Sequence, residues 1–579
     1  MLAGPIFARE ALTTPRQFRH FLVRAGYIAA LFLLMFTAGQ VTFGWQQTRT
    51  VGDLARFGAL VFQVFSLVQL SLVLFFALLF VANNVSQEKD RRTMILLLMT
   101  DMRDHELVLG KLSASLLNVI IMLGISIPAF ALLHLLGGVM LSQIFWAIGI
   151  CTAAAIAAGS WGALVAFWRE KTFQTLAISM LGLVLFIGVV EGILILIDPA
   201  STVGQTIAQL NPYRSLFAIL SPLQGQFSLA PPSVSGLKSV LALLALAVGL
   251  NAITIWRLRI WNPSRFIFFQ ANTDADDADQ QRKRSREVRG NPVFWREVGT
   301  RAYGRKVFAI KLAYLVLAGF VCYAISGAVT QTVEAGPQFL GMLSTPGFAL
   351  LALTILGLIL VNAQTVTSMT SERDMKTLEL LLVTDITAKE FIFGKLLGSL
   401  WNTKELIAVP VAMILWFAIA GLVNWEHFLY LEIGLLTLVM FAASMGLHAG
   451  LSFERSRSAV ANSLGTIFFL FIGIFVFMIL LVEASSSFFL QFQSFVVFIG
   501  VGSIALYASL RHKIPSGALT LSAGILPFFT FYAITSYLLG GSLGVCLTIL
   551  AAYGFPTIAM LVPAISEFDM ALGRTTHDR

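Results

Sequence analysis

The sequence predicts an all-α membrane protein: two parallel six-helix repeats plus about two extra C-terminal transmembrane helices, 12–14 crossings in all. Three observations carry this. Of 579 residues, 57% are hydrophobic and 12% charged, about half the charged share of a soluble domain. Apolar runs of about 20 residues recur along the chain, each long enough to span a ~30 Å hydrocarbon core as a helix. One charged segment is written twice, at 88–116 and again at 372–400.

The elements follow in order. The stretch 1–24 carries Arg9, Glu10, Arg16, Arg19 and Arg24. That is too mixed for the n-region of a signal peptide, so the run near 25–44 is read as a retained first crossing. Five more are expected near 58–82, 112–136, 143–167, 174–197 and 237–256. A second set is expected near 308–330, 346–369, 396–422, 428–451, 460–482 and 490–510, with two further runs at 517–538 and 542–563. The chain then divides into a first half (1–269), a charged linker (270–290), a second half (291–513) and two added crossings with a tail (514–579).

The charges set the orientation. With a cytoplasmic N-terminus, 35 of the 39 Lys and Arg residues fall on the inside, the asymmetry that the positive-inside rule asks for. The C-terminus is then cytoplasmic as well. The net charge of +9 is thereby topological; no basic groove with interleaved aromatics points to nucleic acid. Cys151, Cys322 and Cys546 each sit in an apolar run with no neighbouring His, which argues against a metal site or a disulfide framework.

The repeat is specific. Residues 88–116 and 372–400 share 14 of 29 positions, among them Glu88/Glu372, Asp90/Asp374, Thr93/Thr377, Asp101/Asp385, Glu106/Glu390, Gly110/Gly394 and Lys111/Lys395. "GPIFARE" (4–10) reappears as "NPVFWRE" (291–297), placing Arg9-Glu10 and Arg296-Glu297 in two amphipathic entry helices. Ser160-x-Gly162 and Ser444-x-Gly446 also align, as small-residue patches suited to close helix contact. An even number of crossings separates the copies, so the halves are parallel repeats. Asp101 and Asp385 are expected to cap the following helix, and Thr387 with Glu390 to form a capping box. Lys111 and Lys395 are read as snorkelling at the membrane face.

These motifs together resemble the ABC-2 class of ABC transporter permeases. The resemblance rests on the N-P-x-x-x-[RK]-E entry, the E-[KR]-x-x-x-T-[LM]-x-L-L-L-x-[ST] segment after the second crossing, and the following E-x-x-x-G-K, and covers most of residues 1–510. It implies an exporter-type permease in the cell (plasma or inner) membrane, working with cytoplasmic ABC ATPase subunits in two copies. The segments Glu88, Lys89, Asp90, Arg91, Thr93 and Glu372, Arg373, Asp374, Lys376, Thr377 would then dock the ATPase. Arg169, Glu170, Glu454 and Arg455 would add loop contacts. The chain is expected to be no enzyme and to bind no cofactor: neither Gly-Lys pair completes a Walker A, which leaves ATP and Mg to the partner. No residue is read as catalytic or metal-binding. Alternative readings are an ion-gradient-driven secondary transporter and a non-transporting scaffold or biogenesis factor. Glu191, Glu432, Glu483, His134 and His448 are intramembrane ionisable candidates for a transport role. The substrate is not legible.

Overall fold

The computed structural model describes residues 4–13, 18–42, 50–90, 93–169, 172–197, 201–220, 236–262, 290–299, 307–330, 345–374, 386–484, 488–511, 516–538 and 541–566. Among these, all regular structure is helical. Among the described residues, eleven helices are long and apolar enough to cross a membrane, twelve if one bent pair counts as a single span. The two expected crossings outside that count, near 25–44 and 308–330, also fall on helices. The chain is a multi-pass membrane protein. Its helices are apolar around most of their circumference, as suits segments that meet lipid on one side and neighbours on the other.

Backbone packing gives two compact units: Met1–Glu287 with Ala484–Ser494, and Val288–Glu483 with Phe495–Arg579. The first contains α1 (Gly4–Thr13), α2 (Phe18–Thr42), α3 (Val51–Asp90), α4 (Thr93–Leu98), α5 (Asp104–Leu136), α6 (Leu141–Trp168), α7 (Thr172–Leu196), α8 (Thr202–Ala208), α9 (Pro212–Ile219) and α10 (Gly236–Trp261). The entry helix α1 packs on α5, while α3 is the hub, touching α5, α6 and α7. Side-chain amides tie the helices: Gln69 to Ser126 at 2.9 Å, Asn84 to Ser115 at 2.8 Å and Asn251 to Ser160 at 2.8 Å. At the end of the unit away from α4, the short α9 is laced to its neighbours. Arg214 makes a two-pronged ion pair with Glu191 at 2.6 and 2.7 Å, Tyr213 meets Ser71 at 3.0 Å, and Gln143 donates to the Ile219 carbonyl at 3.0 Å.

The second unit contains α11 (Pro292–Gly299), α12 (Val307–Thr330), α13 (Thr345–Asp374), α14 (Ala388–Asn402), α15 (Lys404–Ile419), α16 (Trp425–Ser452) and α17 (Ser456–Phe468), which runs through a π-helical turn into α18 (Ile474–Ala484). Beyond these come α19 (Phe488–Leu510), whose first residues belong to the first unit, α20 (Gly517–Leu538) and α21 (Ser542–Ser566). The contacts repeat: α11 packs on α14 as α1 does on α5, and α13 meets α14, α16 and α17 as α3 meets α5, α6 and α7. The third crossing is where the units differ. In the first unit it is the unbroken α5; in the second, α14 and α15 meet at 59°. At that break Lys311 pairs with Glu405, and the Lys404 ammonium lies 4.2 Å from the Trp401 ring centroid. Positions 27 and 121, the repeat equivalents of this ion pair, are Tyr and Ile.

The last crossing of each unit can be compared by its packing. In the first unit the last helix, α10, lies against α6 and α5. In the second, the helix packed along α16 and against α14 is α21, while α19 meets α16 at its end, through Leu510. Phe441 of α16 meets Tyr553 of α21 edge-on at 5.0 Å, and Tyr553 is fully buried. In packing, α21 thus matches α10, and α19 and α20 precede it at the place where the first unit carries α8 and α9. Counting apolar runs in order assigns the pair to 514–579 because hydropathy numbers crossings without saying which ones touch.

Both units bring the fourth crossing against the second on a glycine. A Cβ on Gly162 would lie 3.3 Å from the Leu78 carbonyl oxygen; one on Gly446 would lie 2.7 Å from that of Asn362. Gly162/Gly446 and Leu78/Asn362 align in the same register as Glu88/Glu372, so the two contacts fall at matching positions. Gly446→Ala is expected to destabilise by about 1–3 kcal/mol through overpacking. Gly162→Ala should cost less, because its neighbour needs only a small shift. Thermal melting of the two variants in detergent checks the order.

Candidate functional site

The repeated charged segments build the site. In the second unit, the last turn of α13 carries Glu372, with Ser368 one turn before it, and α14 carries Lys395. Lys395 is 2% exposed. Its ammonium donates to Glu372 Oε1 and Glu297 Oε1, both at 2.5 Å, and to Ser368 Oγ at 3.3 Å. Arg296 pairs with the same oxygen of Glu372. Two cations and two carboxylates from three elements thus close a neutral, largely desolvated cluster. Such groups stay charged indoors only because each has an opposite partner.

The entry helix is held in place by fitted parts. Asn291 caps α11, its side-chain oxygen accepting from Val293 N at 2.9 Å and Phe294 N at 3.1 Å, while its amide donates to the Glu390 carbonyl at 2.6 Å. Gly394 and Gly398 give α11 room: a Cβ would come within 2.7 Å of Val293 and 2.5 Å of Glu297. Thr387 and Glu390 form the expected capping box, with bonds of 3.0 and 3.2 Å. The spacing Gly394-x-x-x-Gly398 is a readable sequence signal for such a helix seat, and the motif-based expectations passed over it.

The first unit holds the same pair in simpler form. Lys111 of α5 is buried against Glu88 of α3. The next residue along also repeats its task. Lys89 donates to the carbonyls of Phe167 and, at 3.0 Å, Arg169, closing the end of α3 onto the end of α6. Its counterpart Arg373 donates to the Gly450 carbonyl of α16 at 2.9 Å. Asp374 accepts from Ser456 at 2.5 Å, and Asp104 accepts from Arg259 at 2.8 Å. The second, third, fourth and fifth or sixth crossings are thus cross-linked at one end of each unit.

Several sequence expectations change. Glu88, Lys89, Glu372, Arg373 and Asp374 turn into the protein and brace helices there, where an outward docking surface was expected. Glu88 and Glu372 each pair with a lysine on the following crossing, a juxtaposition that composition alone does not reveal. Lys111 and Lys395 do not snorkel; each is paired inside. Arg169 is also buried, its guanidinium 3.4 Å over the Trp168 ring. Asp101 is not the cap: α5 begins at Asp104, with Arg103 N donating to Glu106 Oε2 at 3.1 Å. Thr93, Arg9, Glu454 and Arg455 are exposed. Arg91, Glu170, Lys376, Thr377 and Asp385 lie outside the described residues, as do the side chains of Asp90, Glu10 and Glu483.

The intramembrane candidates mostly have structural partners. Glu191 is the partner of Arg214 and Asn211. His134 Nδ1 lies 2.8 Å from the Val139 carbonyl oxygen, and His448 Nε2 lies 2.8 Å from that of Leu510. No group of three metal-ligating side chains occurs among the described residues.

Comparison with known proteins adds one finding. Residues 48–328 match the family model described as ABC-2 family transporter protein. The match begins just before α3, includes α3–α10, and runs on through α11 into α12. No curated protein and no solved structure matches the chain.

Proposed function

Starting from a chain that carries an ABC-2 family transporter region, we propose that it is the membrane permease of an ABC exporter and contains two homologous halves. The family implies pairing with an ATP-binding subunit. In this reading ATP is hydrolysed by two cytoplasmic copies of that subunit, one beneath each half. The Lys/Arg-rich ends of the helices, both termini included, face the cytoplasm of a plasma or inner membrane. The observation that carries the reading is the doubled brace: Glu88–Lys111 with Lys89 on the Phe167 carbonyl, and Glu372–Lys395 with Arg373 on the Gly450 carbonyl. A push on either loop meets several crossings already joined, so it is passed to the membrane helices instead of being absorbed locally.

The test is purification of the intact chain from its own membranes into nanodiscs, with Mg-ATP turnover measured. The expected result is vanadate-sensitive hydrolysis from a co-purifying subunit whose Walker A peptide is found by mass spectrometry. A chain that purifies without such a subunit, and still moves substrate on an ion gradient, would overturn the reading in favour of a secondary transporter.

A further inference from the structure

One face of α10 is left uncovered. Leu241, Val248, Ile253, Trp256 and Ile260 recur at helical spacing and are all exposed, Trp256 the most at 70%, while Leu243, Ala247 and Leu258 on the other face are buried. An exposed apolar stripe of this length on a crossing helix meets lipid. Its depth follows from the charges. The 18 residues 239–256 carry none, and Lys238 and Arg257 bound them. At roughly 1.5 Å per residue that stretch rises about 27 Å, close to the ~30 Å hydrocarbon core. Arg257 therefore lies at the level of the phosphates of one leaflet, with Trp256 where interfacial indoles sit.

This end of α10 is fixed. Arg259 donates to Asp104 at 2.8 Å, and the Trp168 and Trp261 rings lie 6.5 Å apart. Asn262 donates at 3.1 Å to the Phe167 carbonyl, which also accepts from Lys89, so the leaflet is the one beside the brace. Arg257 differs from its neighbours. Its guanidinium lies 4.6 Å from the Trp256 ring centroid, and among the described residues it has no carboxylate partner. Stacking on an indole orients the planar fork and leaves its N–H groups free for an acceptor. An arginine fork takes a phosphate in two parallel charge-assisted bonds. At this depth, beside an apolar stripe, the matching phosphate is one that carries acyl chains. Asp104 offsets Arg259, which leaves the charge of Arg257 for the ligand to neutralise.

We propose that Arg257 and Trp256 bind an anionic phospholipid of that leaflet, with the guanidinium on the headgroup phosphate and Trp256, Ile253 and Ile260 along an acyl chain. The site belongs to the first unit. The helix that matches α10 in packing, α21, carries no charged residue, and Glu567 and Asp569 follow it in the sequence.

The test places the full chain, with whatever co-purifies, in phosphatidylcholine nanodiscs containing a trace of phosphatidylglycerol with a photoreactive headgroup. Adducts are mapped by peptide mass spectrometry. The expected adduct lies on the peptide containing 256–262. Unlabelled phosphatidylglycerol should suppress it about fivefold better than added phosphatidylcholine, the selectivity that one interfacial arginine provides. Excess inorganic phosphate should leave it in place. Arg257→Gln should bring the two lipids level, while Arg257→Lys, which keeps the charge, should retain part of the preference. Both side chains are exposed, so the melting temperature in lipid-free detergent should not move, and a loss of preference then reports binding and not folding. Equal suppression by the two lipids in the wild type would show an interfacial anchor without selectivity and overturn the proposal. So would adducts found only elsewhere, displacement by inorganic phosphate, or a preference that survives Arg257→Gln.

Discussion

Lys395→Met is expected to cost about 3–5 kcal/mol of folding stability, the usual effect of removing one partner from a buried ion pair. Methionine keeps most of the stem volume, so the loss is one of charge. Glu297 and Glu372 would then lose the cation that α14 gives them and share Arg296, with side chains 6% and 13% exposed. Neither can recover water without pulling α11 or the end of α13 away from α14. Lys111→Met should cost less, because Glu88 is 20% exposed and can turn toward solvent. Adding Glu372→Gln to Lys395→Met restores neutrality and should recover part of the loss. Melting temperatures by fluorescence-detected size exclusion give the order. Equal shifts for Lys395→Met and Lys111→Met would show that burial does not set the cost.

Ending the chain after Lys513 is expected to leave no folded second unit. Crossing order alone places 514–579 outside the six crossings of that half. The packing says otherwise. Without α21, the faces of α16 and α14 that it covers are bare, and Phe441 and Phe471 lose Tyr553, which meets them at 5.0 and 5.8 Å. Thr530 of α20 and Tyr553 also lose a 2.6 Å hydrogen bond. Loss of a whole packed helix far exceeds the few kcal/mol that a single cavity costs. The readout is monodisperse protein after detergent extraction; a truncated chain that elutes as sharply as the full one would show that the unit folds without α20 and α21.

What could be read from the sequence divides along physical lines. The crossings were legible because lipid demands about 20 apolar residues whatever the neighbours are. The repeat was legible because matched Glu, Thr, Asp, Gly and Lys at one spacing do not arise from greasiness. The Thr387–Glu390 cap was legible because it is local. Inward-turned Glu88 and Glu372 were not: a charge near the membrane end reads as solvated until its partner on the next crossing is placed opposite it. The seat of α21 was not either, because apolar patterning reports burial from water and is silent on which helix does the burying.

The break between α14 and α15, with Lys311 and Glu405 beside it, has no copy at α5. A permease assembled from two identical chains must accept every substitution twice, once on each side of its axis. Writing both copies into one gene lifts that condition. Each side is then free to acquire a bend or a charge that would be intolerable in duplicate, and wear on one copy can be matched by repair in the other. On the proposed reading of two homologous halves, the unequal third crossings are what such a history would leave behind: a machine with a left and a right hand.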